Sequence, residues 1–240
     1  MNKNNRAFIV KLLSVLKIPF HAFYDLFKMV LIYLPGPTGI RLRRIYYQRK
    51  LKSCGENLIV EVGVSIEGAW LISIGSNVFI DKYCQINTGT TLSGSITVIS
   101  NSHYKGDVGC LTIGDGVHIA PFCSIVAYGG VKIDDLCGLS SGVKIYSFTN
   151  TPVDLKDKTK VVSVMPVNSH DAPYLLSPVV LEKNTWIALN SIIMPNTSIG
   201  ENSFATSNSL ISGRFKSNSY ISGQPAKRIK DRFLQKPQQG

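Results

Sequence analysis

From Leu181 to Ile211 an apolar side chain returns at every sixth position, as Leu181, Ile187, Ile193, Ile199, Ala205 and Ile211, without a slip. Four residues after each of the first five stands a small residue: Thr185, Ser191, Thr197, Ser203 and Ser209. A helix would space its apolar residues three and four apart and a half-buried strand two apart, so a period of six fits neither. It fits units of one short strand and one bend, stacked as coils so that the aliphatics fill a continuous core, which is a parallel β-helix. The small residue stands where the chain turns inward and little room is left. Three such units close one triangular coil.

The same register is legible upstream. It starts near Leu58 with Val60 and Ile66, becomes regular at Ile74, Ile80 and Ile86, and returns with Ile113, Ile119 and Ile125. After a step of eight across Tyr128-Gly-Gly130 it continues through Ile133, Leu139 and Ile145. Val78, Cys84, Val117, Cys123, Cys137 and Val143 take the fifth place, and Ile74-Gly75 carries a glycine where the bend leaves no space for a side chain. Two stretches lack the register, about 90–111 and 151–177, and are expected to leave the stack as loops. Long loops that leave a regular scaffold commonly line a binding site. The cysteines show no metal or disulfide spacing, and those in the fifth place read as small core residues of a reducing compartment.

Residues 1–50 are of another kind. Two apolar segments, Ala7 to Ile18 and Phe20 to Leu34, are divided by Pro19 and read as an amphipathic helical hairpin. No small-residue cleavage site follows, which argues against a signal peptide, and Lys11, Lys17, Asp25 and Lys28 interrupt any apolar run long enough to span a membrane. Leu34-Pro-Gly-Pro-Thr-Gly39 is expected to be a turn, and Arg41 to Lys50 is basic and aromatic. The hairpin either lies on an anionic membrane surface, peripheral to the inner face of the cytoplasmic membrane, or packs on the coils as a cap. The net charge of +11 predicts anionic partners such as phosphorylated cofactors or lipid head groups. The interleaved cations and aromatics of nucleic-acid modules are missing from the repeats, so nucleic acid is not an expected partner.

Trp186-Ile-Ala, Ile193-Met-Pro-Asn-Thr-Ser-Ile-Gly200 and Ser222-Gly-Gln-Pro-Ala-Lys-Arg-Ile229 resemble the closing coils of the hexapeptide acyltransferases, the left-handed parallel β-helix family that includes maltose, galactoside and surface-polysaccharide acetyltransferases. The resemblance implies an all-β left-handed β-helix over about 58–225, preceded by the helical hairpin and followed by a basic tail, 226–240. It also implies a homotrimer, with acetyl-CoA in the cleft between subunits and a sugar or glycan as acceptor. Ala188, Ser207, Ser212 and Pro225 match positions along the pantetheine arm, and Lys227 and Arg228 stand where the phosphates would be met. Ala188, Asn196 and Thr206-Ser207-Asn208 depart from the glycine-rich pattern at those positions.

In the family's sugar acetyltransferases a histidine that follows an Ile-Tyr-x-x-Thr stretch removes the acceptor's proton. Here Ile145-Tyr-Ser-Phe-Thr-Asn150 places Asn150 there, and an amide cannot act as a base near neutrality, although it can donate to an oxyanion. His118, in the sixth place and so pointing outward, is a candidate base, with Asp115 or Asp134 to orient it; His103 and His170, on the two loops, are others. A γ-type carbonic anhydrase, which needs three histidines on zinc, fits these spacings poorly, and no metal site is expected. The leading expectation is O-acetylation of a sugar hydroxyl in a surface polysaccharide or its precursor. N-acetylation of an amino sugar, often nucleotide-linked, stands beside it, as does a catalytically inactive scaffold at the membrane.

Overall fold

The computed structural model describes residues 22–89, 96–150, 157, 159 and 174–233. Its body is the expected left-handed parallel β-helix, a three-faced prism. The first face stacks Ser53–Cys54, Ile72–Ile74, Leu111–Ile113, Val131–Ile133, Val179–Leu181, Ser198–Ile199 and Arg214–Phe215. The second stacks Ile59–Val60, Phe79–Ile80, His118–Ile119, Gly138–Leu139, Trp186–Ile187, Phe204–Ala205 and Ser219–Gly223. The third runs from Ser65–Glu67 through Gln85–Asn87, Ser124–Val126, Lys144–Tyr146 and Ile192–Ile193 to Leu210–Ile211. All these pairings are parallel, and they put sixth-place residues in vertical columns, as Ile80 on Ile119 and Ile187 on Ala205.

The periodicity is thus read directly as burial. Leu181, Ile187, Ile193, Ile199, Ala205 and Ile211 are fully buried, as are the fifth-place residues between them, and the columns merge into one core from Tyr47 to Ile221. The fifth place holds more than a small volume. Thr185 Oγ1 donates to the Glu182 carbonyl at 2.6 Å, Ser209 Oγ to Thr206 at 2.7 Å and Cys137 Sγ to Glu182 at 3.2 Å. These side chains satisfy corner carbonyls that point into a dry interior, where an unpaired one is costly. Gly75 stands where there is no room for a side chain, as expected, since a Cβ there would come within 2.8 Å of the Gly114 backbone in the next coil. The left-handed residue of that bend is Asn77, at φ 58°.

Several expectations need correction. The coils begin at Ser53, five residues before the first hydrophobic of the regular register, because Cys54 already pairs with Ile74. Residues 226–231 are not a tail: they form a strand antiparallel to Ser219–Gly223 that closes the second face. The break between the described helices is only Leu34-Pro35, for the second helix already runs from Gly36 to Gln48 with Pro37 in its first turn, where no amide donor is required. The segment from Ala7 to Ile18 lies outside the described residues; the observed pair is the helix reaching through 22–33 and Gly36–Gln48.

That pair caps the first coil, with Tyr47 in the core, the Gly63 N–H on the Ile32 carbonyl at 2.9 Å, and Arg43 between the elements. Arg43 is completely buried; its Nε donates to the Val60 carbonyl at 2.8 Å and its Nη1 to the carbonyls of Leu31 at 3.0 Å and Leu34 at 2.7 Å. The guanidinium therefore satisfies the last carbonyls of one helix while sitting on the first coil. Gly39 makes this approach possible, because a side chain there would collide with the Leu34 carbonyl.

The described parts of the two stretches expected to leave the stack come together outside it. Ile96–Val98 pairs in parallel with Tyr174–Leu176, which pairs antiparallel with Phe148–Asn150. Buried Asn101 pins this three-stranded sheet to the prism, exchanging a hydrogen bond with Ser198 Oγ at 2.9 Å and donating to the Pro178 carbonyl at 3.2 Å.

Candidate active site

Outward positions on the second face form a ladder: Phe79, His118, Gly138, Trp186, Phe204 and Tyr220 are successive register partners. Gly138 is a rung without a side chain. The gap is a groove of about 590 Å³, walled by His118 and Leu136 on one side and Trp186, Leu189 and Arg232 on the other, with Ser140 at its floor. Trp186 Nε1 donates to Ser140 Oγ at 3.0 Å, which fixes the indole as a wall. Arg232 is held by the carbonyl of Asn202 at 3.0 Å and lies over the Phe204 ring at 5.9 Å. Leu136 reaches the groove from a left-handed corner, φ 57°, a conformation unfavourable for a branched side chain.

His118 points outward, as its place in the repeat predicted. Its ring stacks on Phe79 with centroids 5.0 Å apart at 17°, and its Nε2 stands 3.8 Å from Asp81 Oδ2. The carboxylate within ion-pair distance of this imidazole is therefore Asp81, rather than Asp115 or Asp134. Asp115 is occupied at a corner, accepting the Ser76 N–H at 2.6 Å. Burial pushes the Asp134 carboxyl up, but the Lys132 ammonium at 2.7 Å and the Asp135 N–H outweigh it and hold it below the ordinary carboxylate value. Asp81 is found by stacking coils, since it is 37 residues from His118 in sequence and adjacent only through the Phe79–His118 pairing.

Of the other candidate catalytic residues, the two among the described residues, His103 and Asn150, do not join it. His103 is on the first face, its Nδ1 3.3 Å from Glu182 Oε1, near Arg214 and Lys216. Asn150 is exposed at the end of the outlying sheet, opposite Tyr174. His170 lies outside the described residues. Among the described residues no group of three or more His, Cys, Asp or Glu side chains is arranged to hold a metal ion.

The residues matched to a cofactor arm lie on the last coils. Ala188, 9% exposed, stands in a column of small residues just past the second face, with its N–H on the Ala205 carbonyl at 2.9 Å. Thr206 Oγ1 donates to Ser222 Oγ at 2.8 Å, and Ser222 pairs with Lys227. A shallow track of small side chains thus leads from Ser140 and Ala188 past exposed Ser207 to the cationic strand. Pro225 sits at its hairpin turn, and Arg228 bonds Asp231 while its Nε is buried without a partner. Ser212 lies beyond the third face, at the next corner, and is not part of the track. Sequence reasoning missed Gly138 and Trp186 as groove residues and Asp81 as the carboxylate beside His118. The signal for them was vertical registration: counting from coil to coil rather than along one.

No family profile matches the chain. A curated relative, the dTDP-4-amino-4,6-dideoxy-D-glucose acyltransferase of Escherichia coli, is 29% identical over 181 residues, 75% of this chain and 82% of that protein. Among solved structures, a variant of AntD, an N-acyltransferase from Bacillus cereus in complex with dTDP and coenzyme A, superposes with a TM-score of 0.60 at 25% identity, over 79% of this chain and 89% of that one. Another AntD variant, holding dTDP-4-amino-4,6-dideoxyglucose and coenzyme A, gives 0.60 at 24% identity, over 80% and 89% of the two chains.

Proposed function

We propose that this chain, a hexapeptide-repeat β-helix of the sugar acyltransferase family, transfers an acyl group from acyl-coenzyme A to the amino group of a nucleotide-linked amino sugar. The observation that carries the acceptor class is the similarity to the E. coli amino-sugar acyltransferase across three quarters of the chain. The chemistry of the site agrees with it. A sugar amine with a pKa of roughly 8 is partly free base at neutral pH, whereas a hydroxyl must lose its proton as it attacks. Such an amine suits a chain with Asn150 in the place of the family's usual base.

In this reading the track of Ala188, Thr206 and Ser222 takes the pantetheine arm, and Lys227 and Arg228 meet the phosphates. The groove over Gly138 admits the acceptor. The amine attacks the thioester carbonyl, the carbon–sulfur bond breaks to expel coenzyme A as its thiolate, and the nitrogen's surplus proton passes to His118, which stacks on Phe79 beside Asp81, and from it to the thiolate. The exposed corner aromatics Tyr83 and Phe122, stacked at 5.5 Å, fit a contact between copies in a homotrimer.

A second reading, O-acetylation of a sugar hydroxyl, draws on the same His118–Asp81 pair, which could strip a hydroxyl proton. Release of free thiol from acetyl-CoA, measured with dTDP-4-amino-4,6-dideoxyglucose and with its 4-hydroxy counterpart, separates the two. Thiol release with the amine alone is the expected result. Release with hydroxyl acceptors alone would replace it by O-acetylation, and the absence of both release and coenzyme A binding would leave an inactive scaffold.

A further inference from the structure

The described helix 22–33 is amphipathic in the wrong sense. Its inward stripe carries Tyr24, Lys28, Leu31 and Ile32, of which only Leu31 is fully buried. Its outward side presents Phe23, Leu26, Phe27, Met29, Val30 and Tyr33 at 48–70% exposure. A helix on a soluble surface turns its polar side to water, so an apolar outer face of this size needs a cover. Leu42 and Ile45 of the second helix, 44% and 46% exposed, extend it.

Charge selects the cover. Residues 22–52 carry seven cations, buried Arg43 and six that reach solvent, Lys28, Arg41, Arg44, Arg49, Lys50 and Lys52, against one carboxylate, Asp25. A second copy of this surface would bring the same cations. Residues 1–21 would bring Lys3, Arg6, Lys11 and Lys17 with no Asp or Glu. Both occupants repel; an anionic lipid surface attracts, at about 1 kcal/mol per basic residue near the membrane. Beside the apolar face, between the helices and Gly68–Trp70, is a groove of about 340 Å³ whose lining includes Lys28, Lys50, Tyr46 and Trp70, the two ammonium groups outnumbering one carboxylate, Glu67. Lys50 Nζ lies 6.0 Å from the Tyr46 ring centroid, and Trp70 is 69% exposed. Ammonium groups and phenols beside an exposed indole suit a phosphate headgroup at the lipid–water boundary.

We infer that the helical cap docks the prism on an anionic phospholipid surface, with the 22–33 face in the acyl-chain boundary and the Lys28–Lys50 groove at the headgroups. No helix among the described residues is long and apolar enough to cross a membrane, so the contact is one of lying on the surface. This inference stands apart from the acyltransferase reading.

The test is co-sedimentation of the full chain with vesicles of phosphatidylcholine alone and of phosphatidylcholine with 30% phosphatidylglycerol. The inference expects at least tenfold stronger binding to the anionic vesicles, weakened by 0.5 M salt. Phe23→Ser with Phe27→Ser, and separately Arg41→Glu with Lys50→Glu, should each lower that binding at least tenfold; all four positions are exposed, and circular dichroism checks that each variant is folded. Equal binding to neutral vesicles, retention of binding by folded variants, or no binding at all would overturn it. So would a change of solution mass in the Phe23→Ser, Phe27→Ser variant without lipid, which would assign the face to another copy.

Discussion

Cys137 and Thr185, one above the other in the stack, both donate to the carbonyl of Glu182. Thr185→Val keeps the volume and removes the hydroxyl, leaving a buried carbonyl weakly served, so it should cost about 1–3 kcal/mol in a urea titration while Thr185→Ser costs much less. Burial pushes the Cys137 thiol up to about 12, against an ordinary value of 9. The folded thiol then keeps its proton where the unfolded one loses it. Stability contributed by the neutral thiol is intact below pH 9 and falls as pH rises from 9 toward 12, by about 1.4 kcal/mol per unit for this group. Thermal melts between pH 8 and 11 check the slope, and Cys137→Ala should flatten it. At the groove, His118→Asn should reduce turnover about 10²-fold or more with little change in KM if the imidazole takes the proton; unaltered turnover would remove it from the mechanism. Leu136→Asn should raise the melting temperature, since relieving a left-handed branched residue returns about 1 kcal/mol, and should impair the acceptor KM because Leu136 walls the groove.

Between coils and helices the decisive element contact is Arg43. Burial draws its guanidinium below the ordinary arginine value, opposed by Glu61 and Tyr47, and hydrogen bonds to three carbonyls from two segments hold the charge there. Arg43→Ala should cost roughly 3–5 kcal/mol of cap docking, seen as rapid amide exchange over residues 22–48 with the coils still protected. Arg43→Lys should not rescue it, because one ammonium cannot serve both directions of the fork. The closing strand offers a functional counterpart: Lys227→Ala with Arg228→Ala should raise the KM for acyl-coenzyme A more than it lowers turnover. The strands themselves were legible because Leu181 to Ile211 leaves only one arrangement that buries every sixth residue. The pairing of Ala226–Asp231 was not, since Lys227, Lys230 and Asp231 read as solvated residues until Ser219–Gly223 supplies an edge. The joining of the two loops into one sheet was equally hidden, for Ile96–Val98 and Tyr174–Leu176 are held together by backbone bonds that carry no sequence period.

At the scale of the whole molecule, light scattering should give the mass of three chains, and Phe122→Asp should reduce it, because Phe122 is 63% exposed against Tyr83 on one edge of the prism. Two cationic regions mark the ends of the axis, the cap with its exposed apolar face at one end and the closing strand Ala226–Asp231 at the other. A site assembled from vertical neighbours such as Asp81, His118 and Trp186 is spread over more than a hundred residues of sequence, and composition gives no trace of it.

The parallel stack has a further consequence for how such a chain can change length. Leu181 and Ile199 are register partners, as are Ile199 and Phe215, so excising residues 182–199 would remove one storey and rejoin the chain in phase. Every later aliphatic would stay in its own column, Ala205 taking the place of Ile187 on Leu139 and Ile211 that of Ile193 on Ile145. Loss of a single residue from the same stretch would instead turn each later aliphatic out of the core. The molecule is therefore tolerant of change in whole storeys and intolerant of it in single steps, and its height is a counted quantity, like the rungs of a ladder.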